Sequence, residues 1–182
     1  MKALGVYSQM ANEVIRVGRL SLIKSLPEHA ERVADNMRKS DARECYIHNL
    51  TPLEALTEPL AIDGAETYTL RLDETPIGMC GSVPIDDVHG RIWLLGTNAI
   101  NFNFRPFLRG CKATIDLLQG DYSSVENFVP ADHHDTIMWL SWCGFTFDES
   151  MYEMNSHTFM RFERCAVDKN DVIGELSRPV MH

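Results

Sequence analysis

The sequence predicts an α/β (α+β) fold in which helices cover both faces of a mixed, mostly antiparallel sheet. Two observations carry this prediction. Residues 66–86 alternate apolar and polar side chains on either side of a turn at "DETP", which indicates an antiparallel hairpin. The run "RIWLLGTNAI" that follows is continuously apolar, as is typical of a central strand buried on both faces. Helical segments precede and follow these strands, so both kinds of element belong to one domain.

The segments before the hairpin predict one helical extension, one strand and three helices. Residues 1–18 form the extension, because residues 4, 7, 10, 14 and 17 are apolar at helical spacing. The stretch "GRLSLIKSL" predicts a strand. "LPEHAERVADNMRKS" starts with proline and acidic residues and ends with basic ones, as a helix does. Further helices are predicted over residues 41–49 and from Thr51, which caps a helix whose first residue is proline.

After the central strand the sequence predicts a helix over residues 104–119, the strand "SSVENFVP" and a helix in "DHHDTIMWLSW". Asp132 is expected to cap that last helix, and Trp139 and Trp142 are expected to pack in the core. Strands are predicted within "GFTFDESMYEMNSHTFMRFER". The folded domain is therefore expected to span residues 19–165, followed by a polar tail over residues 166–182.

The composition indicates which classes of partner are excluded and in which compartment the protein folds. The 182 residues carry a formal net charge of -9, which argues against nucleic acid as a partner. The densest basic cluster, residues 32–43, is interleaved with acids that continue to Glu44, and it is predicted to be a solvated helix face. Five scattered cysteines without a C-x-x-C pair predict a reducing compartment and no metal site. No run of 18 apolar residues occurs, so no membrane partner is expected.

The order of elements resembles the GNAT (Gcn-five-related N-acetyltransferase) fold over roughly residues 19–165. The stretches that carry the resemblance are "PIGMCGSV" as a hairpin strand, "RIWLLGTNAI" as the central strand and "HHDTIMWLSWCGFTFDE" as a helix that closes on Gly-Phe. More narrowly, "SDARECYIHN" and the late "GF" block resemble a GNAT-like family of short-tailed bacteriophages, the internal virion protein A type. That resemblance implies a virion-associated protein, located first in the host cytoplasm and then in the virion.

The resemblance also implies where acyl-CoA would bind. Members of the family with acetyltransferase activity place Gln/Arg-x-x-Gly-x-Gly/Ala after the central strand, where backbone N–H groups approach a pyrophosphate. The matching stretch here is "RPFLRG" (residues 105–110), in which Leu108 replaces the middle glycine and Pro106 removes one N–H donor. The phenylalanines and leucine of this stretch fit core or interface packing equally well. If acyl-CoA binds, the resemblance assigns its contacts to Thr97, Asn98, Ala99, Ile100, Arg105, Arg109 and Gly110.

Catalytic residues are less clearly marked. Counted back from Gly144, Leu140 stands where the family places a Tyr acid and His133 where it places an Asn. Tyr122 and Tyr152 are the substitutes considered for the acid, and Glu126 or Asp86 for the base, by residue type alone.

The sequence therefore favours a virion-associated structural or assembly protein that docks to other phage proteins or to itself, with no cofactor. The alternative is an acetyl-CoA-dependent N-acetyltransferase acting on a lysine or small amine, because an acidic surface suits a basic acceptor. In that alternative, acyl-CoA would lie between the central strand and "SSVENFV".

Overall fold

The computed structural model describes residues 13–166, which form one eight-stranded sheet with helices on both faces. The predicted fold class is confirmed. The strands follow the chain as β1 (Glu13–Val17), β2 (Leu20–Lys24), β3 (Glu66–Leu72), β4 (Thr75–Pro84), β5 (His89–Gly96), β6 (Ser124–Pro130), β7 (Thr146–Met154) and β8 (His157–Cys165). Their order in the sheet is β1-β2-β3-β4-β5-β6-β8-β7, and only the β5–β6 pair is parallel.

Six α-helices lie within the described residues: α1 (Pro27–Asp35), α2 (Lys39–Ile47), α3 (Pro52–Thr57), α4 (Ala99–Phe102), α5 (Phe104–Gln119) and α6 (His134–Trp142). A short 3-10 turn, Glu58–Ala61, follows α3. Successive side chains of a strand point to opposite faces of a sheet. Met79 of β4 therefore packs against α1 and α3, while its neighbour Cys80 packs against α5. No helix in this part of the chain is both long and apolar enough to cross a membrane.

The predicted starts of two helices, α1 and α3, are confirmed. Pro27 opens α1, and Thr51 caps α3, where its hydroxyl accepts from the Glu54 N–H while the Glu54 carboxylate accepts from the Thr51 N–H. The cap of α6 differs from the prediction. His133 rather than Asp132 occupies the N-cap position, and no side chain caps this helix.

The predicted N-terminal helix is wrong for its last residues. Glu13–Val17 is a strand that pairs with β2 across a two-residue turn, Gly18–Arg19, in which Gly18 has a φ of 60°. Ile15 packs against the core from this strand, so sheet pairing overrides the helical spacing. Residues 1–12 and 167–182 lie outside the described residues. They include most of the predicted extension and nearly all of the predicted polar tail.

The continuous apolar run after the hairpin divides into a strand and a helical turn. β5 ends at Gly96, and α4 begins three residues later. Ile100 is buried, and its side chain fills the space beside Gly78 and Gly96. A Cβ atom on Gly96 would overlap Ile100 Cδ1, so the glycine lets α4 fold back onto the strand end.

The β5–β6 ladder is short, and this positions the site. It contains three residue pairs and ends at Arg91–Glu126. Residues 92–96 of β5 and 127–130 of β6 continue beyond it without pairing to each other, and we call the region between them the split. One side chain crosses near its closed end, where Asn127 Nδ2 donates to the Ile92 carbonyl at 2.7 Å. A parallel pair that opens in this way exposes backbone groups on both of its edges.

We predict that Gly81→Ala destabilises the fold whereas Gly110→Ala does not. A Cβ on Gly81 would lie 2.6 Å from the Glu66 carbonyl oxygen, so the substitution should lower the unfolding free energy by about 2 kcal/mol. A Cβ on Gly110, inside α5, would meet Val17 at an ordinary 3.6 Å, and alanine there should add roughly 0.5 kcal/mol. Urea unfolding of both variants measures the difference; equal stabilities would contradict the packing described for β4.

Candidate functional site

The edge of β5 that faces the split carries free backbone groups at Leu94. Every second residue of an antiparallel strand turns its N–H and C=O toward the same neighbour. The Thr97 N–H donates to the Ile77 carbonyl at 2.8 Å, so Thr97, Leu95 and Trp93 face β4. Ile92, Leu94 and Gly96 consequently face the split. Since the β6 ladder stops at Arg91, the N–H and C=O of Leu94 remain available to a ligand.

The end of β5 is held by the helix α2 and by the residues just before it. Asp41 Oδ2 accepts from the buried Gly96 N–H at 2.8 Å. The Arg38 N–H donates to the Gly96 carbonyl at 2.9 Å, and Met37 forms a β-bridge with Thr97. Asp41 Oδ1 accepts from Arg38 Nε at 2.6 Å. Both oxygens of this carboxylate are therefore bound, and α2 is fixed beside the mouth of the split.

Glu44 lies one helical turn beyond Asp41 and is partly buried. Burial raises the pKa of Glu44 to about 7, with the neighbouring charge of Asp41 acting in the same direction and Arg38 opposing it. A carboxyl group with a pKa near 7 can accept and release protons at neutral pH, which suits a general base.

Glu44 lines a cavity of about 300 Å³ at the C-terminal end of β6. Three segments form its walls: α2, the residues between β6 and α6, and the β7–β8 turn with the start of β8. The lining residues are Ser40, Arg43, Glu44, Ile47, Pro130, Ala131, Asp132, His133, Ser156, His157 and Thr158. Arg43 and Asp132 approach each other across this cavity, with 3.9 Å between Nη1 and Oδ2.

A second, more open cavity of about 570 Å³ adjoins the first along α2. It is lined by Lys39, Ala42, Arg43, Tyr46, Ile47, Asn49, Asn155 and His157. The two cavities share Arg43, Ile47 and His157. The two cavities are therefore neighbours, and Glu44 lines the smaller one.

Four of the residues assigned to acyl-CoA from the sequence, 97–100, lie just after β5. Most of their N–H groups are already bonded: Thr97 to Ile77, Ala99 to Thr97 Oγ1, and Ile100 to the Thr97 carbonyl. Asn98 is exposed beside them. The free backbone groups on this edge therefore lie earlier in the strand, at Leu94.

The stretch "RPFLRG" lies within α5 and not in a loop before it. Gly110 is in the helix interior, packed against Val17. Arg105 and Arg109 are both exposed and stand one turn apart on the helix. Of the eleven arginines among residues 13–166, these two and Arg32 form no ion pair in the described structure. Phosphate contacts from this helix would have to come from guanidinium groups and not from a glycine-rich backbone.

The carboxylates considered as bases are engaged elsewhere. Glu126 Oε2 accepts from Arg161 Nε at 2.6 Å, and its other oxygen pairs with Arg91 at 3.4 Å. Asp86 accepts from the N–H groups of Val88 and His89 in the β4–β5 turn. Neither residue lines the cavities at α2.

The tyrosines considered as acids also lie away from Glu44. The Tyr122 ring packs over Gly90, at the closed end of the β5–β6 pair, and burial raises the pKa of its hydroxyl. The Tyr152 hydroxyl donates to Asp148, which raises the pKa of Tyr152. Leu140 is buried in the core, as its apolar character requires. No group of three or more potential metal ligands is present among residues 13–166.

Sequence reasoning missed Asp41, Glu44 and Asn127. The cluster around Asp41 was predicted to be a solvated face, yet only 7% of Asp41 is exposed. The one signal in the sequence is the pair of acids three residues apart in "SDARECYI", which lie on one side of a helix. That spacing is common on solvated helices, so the contact with Gly96 could be recognised only in the folded chain.

Comparison of the sequence with protein-family models and with curated proteins finds no match. Comparison with solved structures finds many. A probable acetyltransferase has a TM-score of 0.64 at 12% identity, and the alignment covers 87% of this chain and 98% of that one. RimL, a ribosomal L7/L12 alpha-N-protein acetyltransferase solved in complex with coenzyme A, has a TM-score of 0.62 at 10% identity, covering 84% of this chain and 97% of RimL.

A GNAT-family acetyltransferase from Bacillus anthracis is similar at a TM-score of 0.62 and 11% identity, with 83% of this chain and 97% of that one covered. None of these structures is described as a virion protein, so the predicted phage relationship gains no support. At such low identities the likeness concerns the backbone alone. The chain has the GNAT fold.

Proposed function

We propose that this chain is an acyl-CoA-dependent N-acyltransferase that uses Glu44 as its general base. The observation that carries the proposal is the juxtaposition of the split, with the free backbone of Leu94, and a cavity that contains Glu44. α2 joins the two, because Asp41 binds the end of β5 and Glu44 follows one turn later. The acetyltransferases among the structural neighbours support the same reaction class.

The residues at the split fit an acyl-CoA chain. The N–H and C=O of Leu94 can pair with an amide of the pantetheine arm, as an added strand would. Arg105 and Arg109, which have no described ion-pair partner, can bind phosphate oxygens through paired N–H donors. This donor set replaces the glycine-rich backbone cradle that "RPFLRG" lacks.

The acyl thioester would supply an activated acyl group. In the transfer, the amine nitrogen forms a bond to the acyl carbon while the bond from that carbon to sulfur breaks. Glu44 takes one proton from the amine, and the departing thiolate takes a proton from solvent, because Leu140 stands where the family places a tyrosine acid. At neutral pH a base with a pKa of about 7 is half ionised, so it can take the proton and release it again.

A docking role is the second candidate, and exposed apolar side chains favour it. Phe102 is 86% exposed, Met138 67% and Trp142 49%, although the sequence predicted Trp142 to be a core residue. Lys112 covers one face of the Trp142 ring, with 4.6 Å from Nζ to the ring centroid. Exposed aromatic residues of this kind often mark contact surfaces. This candidate retains the structural or assembly role predicted from the sequence.

We predict that Glu44→Gln abolishes most acyl transfer. The wild-type kcat/KM, measured by release of coenzyme A thiol, should rise with pH through a limb near 7 because Glu44 must be ionised. Glu44→Gln should lower kcat/KM by about 100-fold or more and lose this limb. Glu126→Gln is the matched control and should retain it, since Glu126 does not line the cavity. A wild-type limb that survives in Glu44→Gln would contradict the proposed role.

The same variant tests the ionisation of Glu44 without any substrate. Because the folded state raises the pKa of Glu44, folding favours its protonated form, and the wild type loses stability as pH rises from about 4.5 through 7. Glu44→Gln has no such loss. The stability of Glu44→Gln relative to wild type should therefore increase over that interval by on the order of 3 kcal/mol and level off above it. A pH-independent difference would show that Glu44 titrates normally.

We further predict that Asp41→Asn moves the pH limb to lower pH. Asparagine keeps an oxygen acceptor for the Gly96 N–H but removes the negative charge that raises the pKa of Glu44. Arg38, no longer paired with a carboxylate, then favours ionised Glu44 more strongly. A pH profile of kcat/KM measures the shift, and a limb that stays in place or moves upward would contradict the coupling of the two carboxyl groups.

A further inference from the structure

The walls of the larger cavity have a charge opposite to that of the protein as a whole. Lys39 and Arg43 contribute two cations to its lining, and no carboxylate lines it. The chain has a formal net charge of -9. The nearby acids, Glu44 and Asp132, line the smaller cavity instead. The larger cavity thus contains two cations, and the adjoining smaller cavity contains two carboxyl groups.

The two cations are free to bind an anion. Lys39 forms no ion pair among residues 13–166 and is exposed. Arg43 has a described partner in Asp132, but 3.9 Å separates the two atoms, and the side chains are 56% and 67% exposed. A surface pair of this length and exposure contributes little stability. A ligand carboxylate can therefore replace Asp132 beside Arg43 at small cost.

We propose that the acceptor is a small amine that also carries a carboxylate, with the amine at Glu44 and the carboxylate between Lys39 and Arg43. This inference rests on the proposed function. It differs from the basic acceptor suggested by the acidic composition, because local cations and not net charge decide which group binds. An α-amino acid is the smallest molecule with both groups. Arg43 lines both cavities, so its guanidinium can reach a carboxylate attached close to the reacting amine.

The arrangement gives a reason for selectivity. An amine that lacks the carboxylate forms no ion pair with Lys39 or Arg43, although it can still reach Glu44. A positively charged diamine or a lysine side chain places no anion near these cations and gains nothing from them. The carboxylate thus contributes to binding and not to the chemical step, so its loss should appear mainly as a higher KM.

The test compares three acceptors that share one side chain: leucine, leucinamide and isoamylamine. Acetyl-CoA is the donor, and thiol release is measured with the full chain. Each kcat/KM is divided by the fraction of unprotonated amine, because the three amines differ in pKa. We expect leucine to exceed the other two by about tenfold or more. Arg43→Met and Lys39→Met should each raise the KM for leucine. Each should also bring the ratio of the corrected kcat/KM for leucine to that for leucinamide or isoamylamine toward one.

The control is Arg32→Met, which removes an exposed arginine of α1 that has no described ion pair and lines neither cavity. It should leave the ratio unchanged. Equal or better use of leucinamide and isoamylamine by the wild type, or a ratio that Arg43→Met leaves unchanged, would overturn the inference while the acyltransferase function stands. Absence of thiol release with all three acceptors and with a polyamine would overturn both.

Discussion

The hydrogen bond between the Asp41 carboxylate and the Gly96 N–H organises the candidate site. It joins a helix on one face of the sheet to the end of the central strand, where β5 has no neighbour on its β6 side. A buried N–H without a partner would cost about 1–3 kcal/mol, so this bond stabilises an unpaired strand end. It also fixes the direction of α2, which in turn determines where Glu44 and Arg43 project.

Besides burial, the Asp41 carboxylate that makes this bond contributes to the raised pKa of Glu44. Asp41 accepts from the Gly96 N–H and from Arg38 Nε, and it lies one turn from a second carboxyl group that is itself partly buried. Burial and the like charge act together on Glu44. Structural stability at the strand end and proton affinity in the cavity are therefore properties of a single pair of acidic residues.

The fold was largely predictable, because its signals are local. Alternation identified β3 and β4, the continuous apolar run identified β5, and the helix predicted over residues 104–119 is α5. The strand β1 was predicted as a helix, because its apolar residues also fit helical spacing. Only the pairing with β2 distinguishes a strand from a helix here. Asp41 was missed for the same reason. Its partner, Gly96, lies 55 residues along the chain.

The sequence departs from the GNAT pattern at the phosphate loop and at the tyrosine position, so the proposed phosphate contacts come from side chains and not from backbone N–H groups. In the proposed function, without a glycine-rich loop, Arg105 and Arg109 of α5 would bind the phosphates, and without a tyrosine at position 140 the leaving thiolate would take its proton from solvent. Such a site would bind acyl-CoA with a strong dependence on salt, because exposed charges are screened. The backbone edge at Leu94 would be insensitive to salt.

The most direct measurement is a calorimetric titration of the purified chain with acetyl-CoA, repeated with an Arg105→Met/Arg109→Met variant. We expect acetyl-CoA to bind the wild type at micromolar concentration and the affinity of the variant to be lower by roughly tenfold or more. No heat and no thermal stabilisation at millimolar acetyl-CoA would contradict it. The split would then be a feature of packing, and the exposed aromatic residues near α4 and α6 would become the surface to investigate.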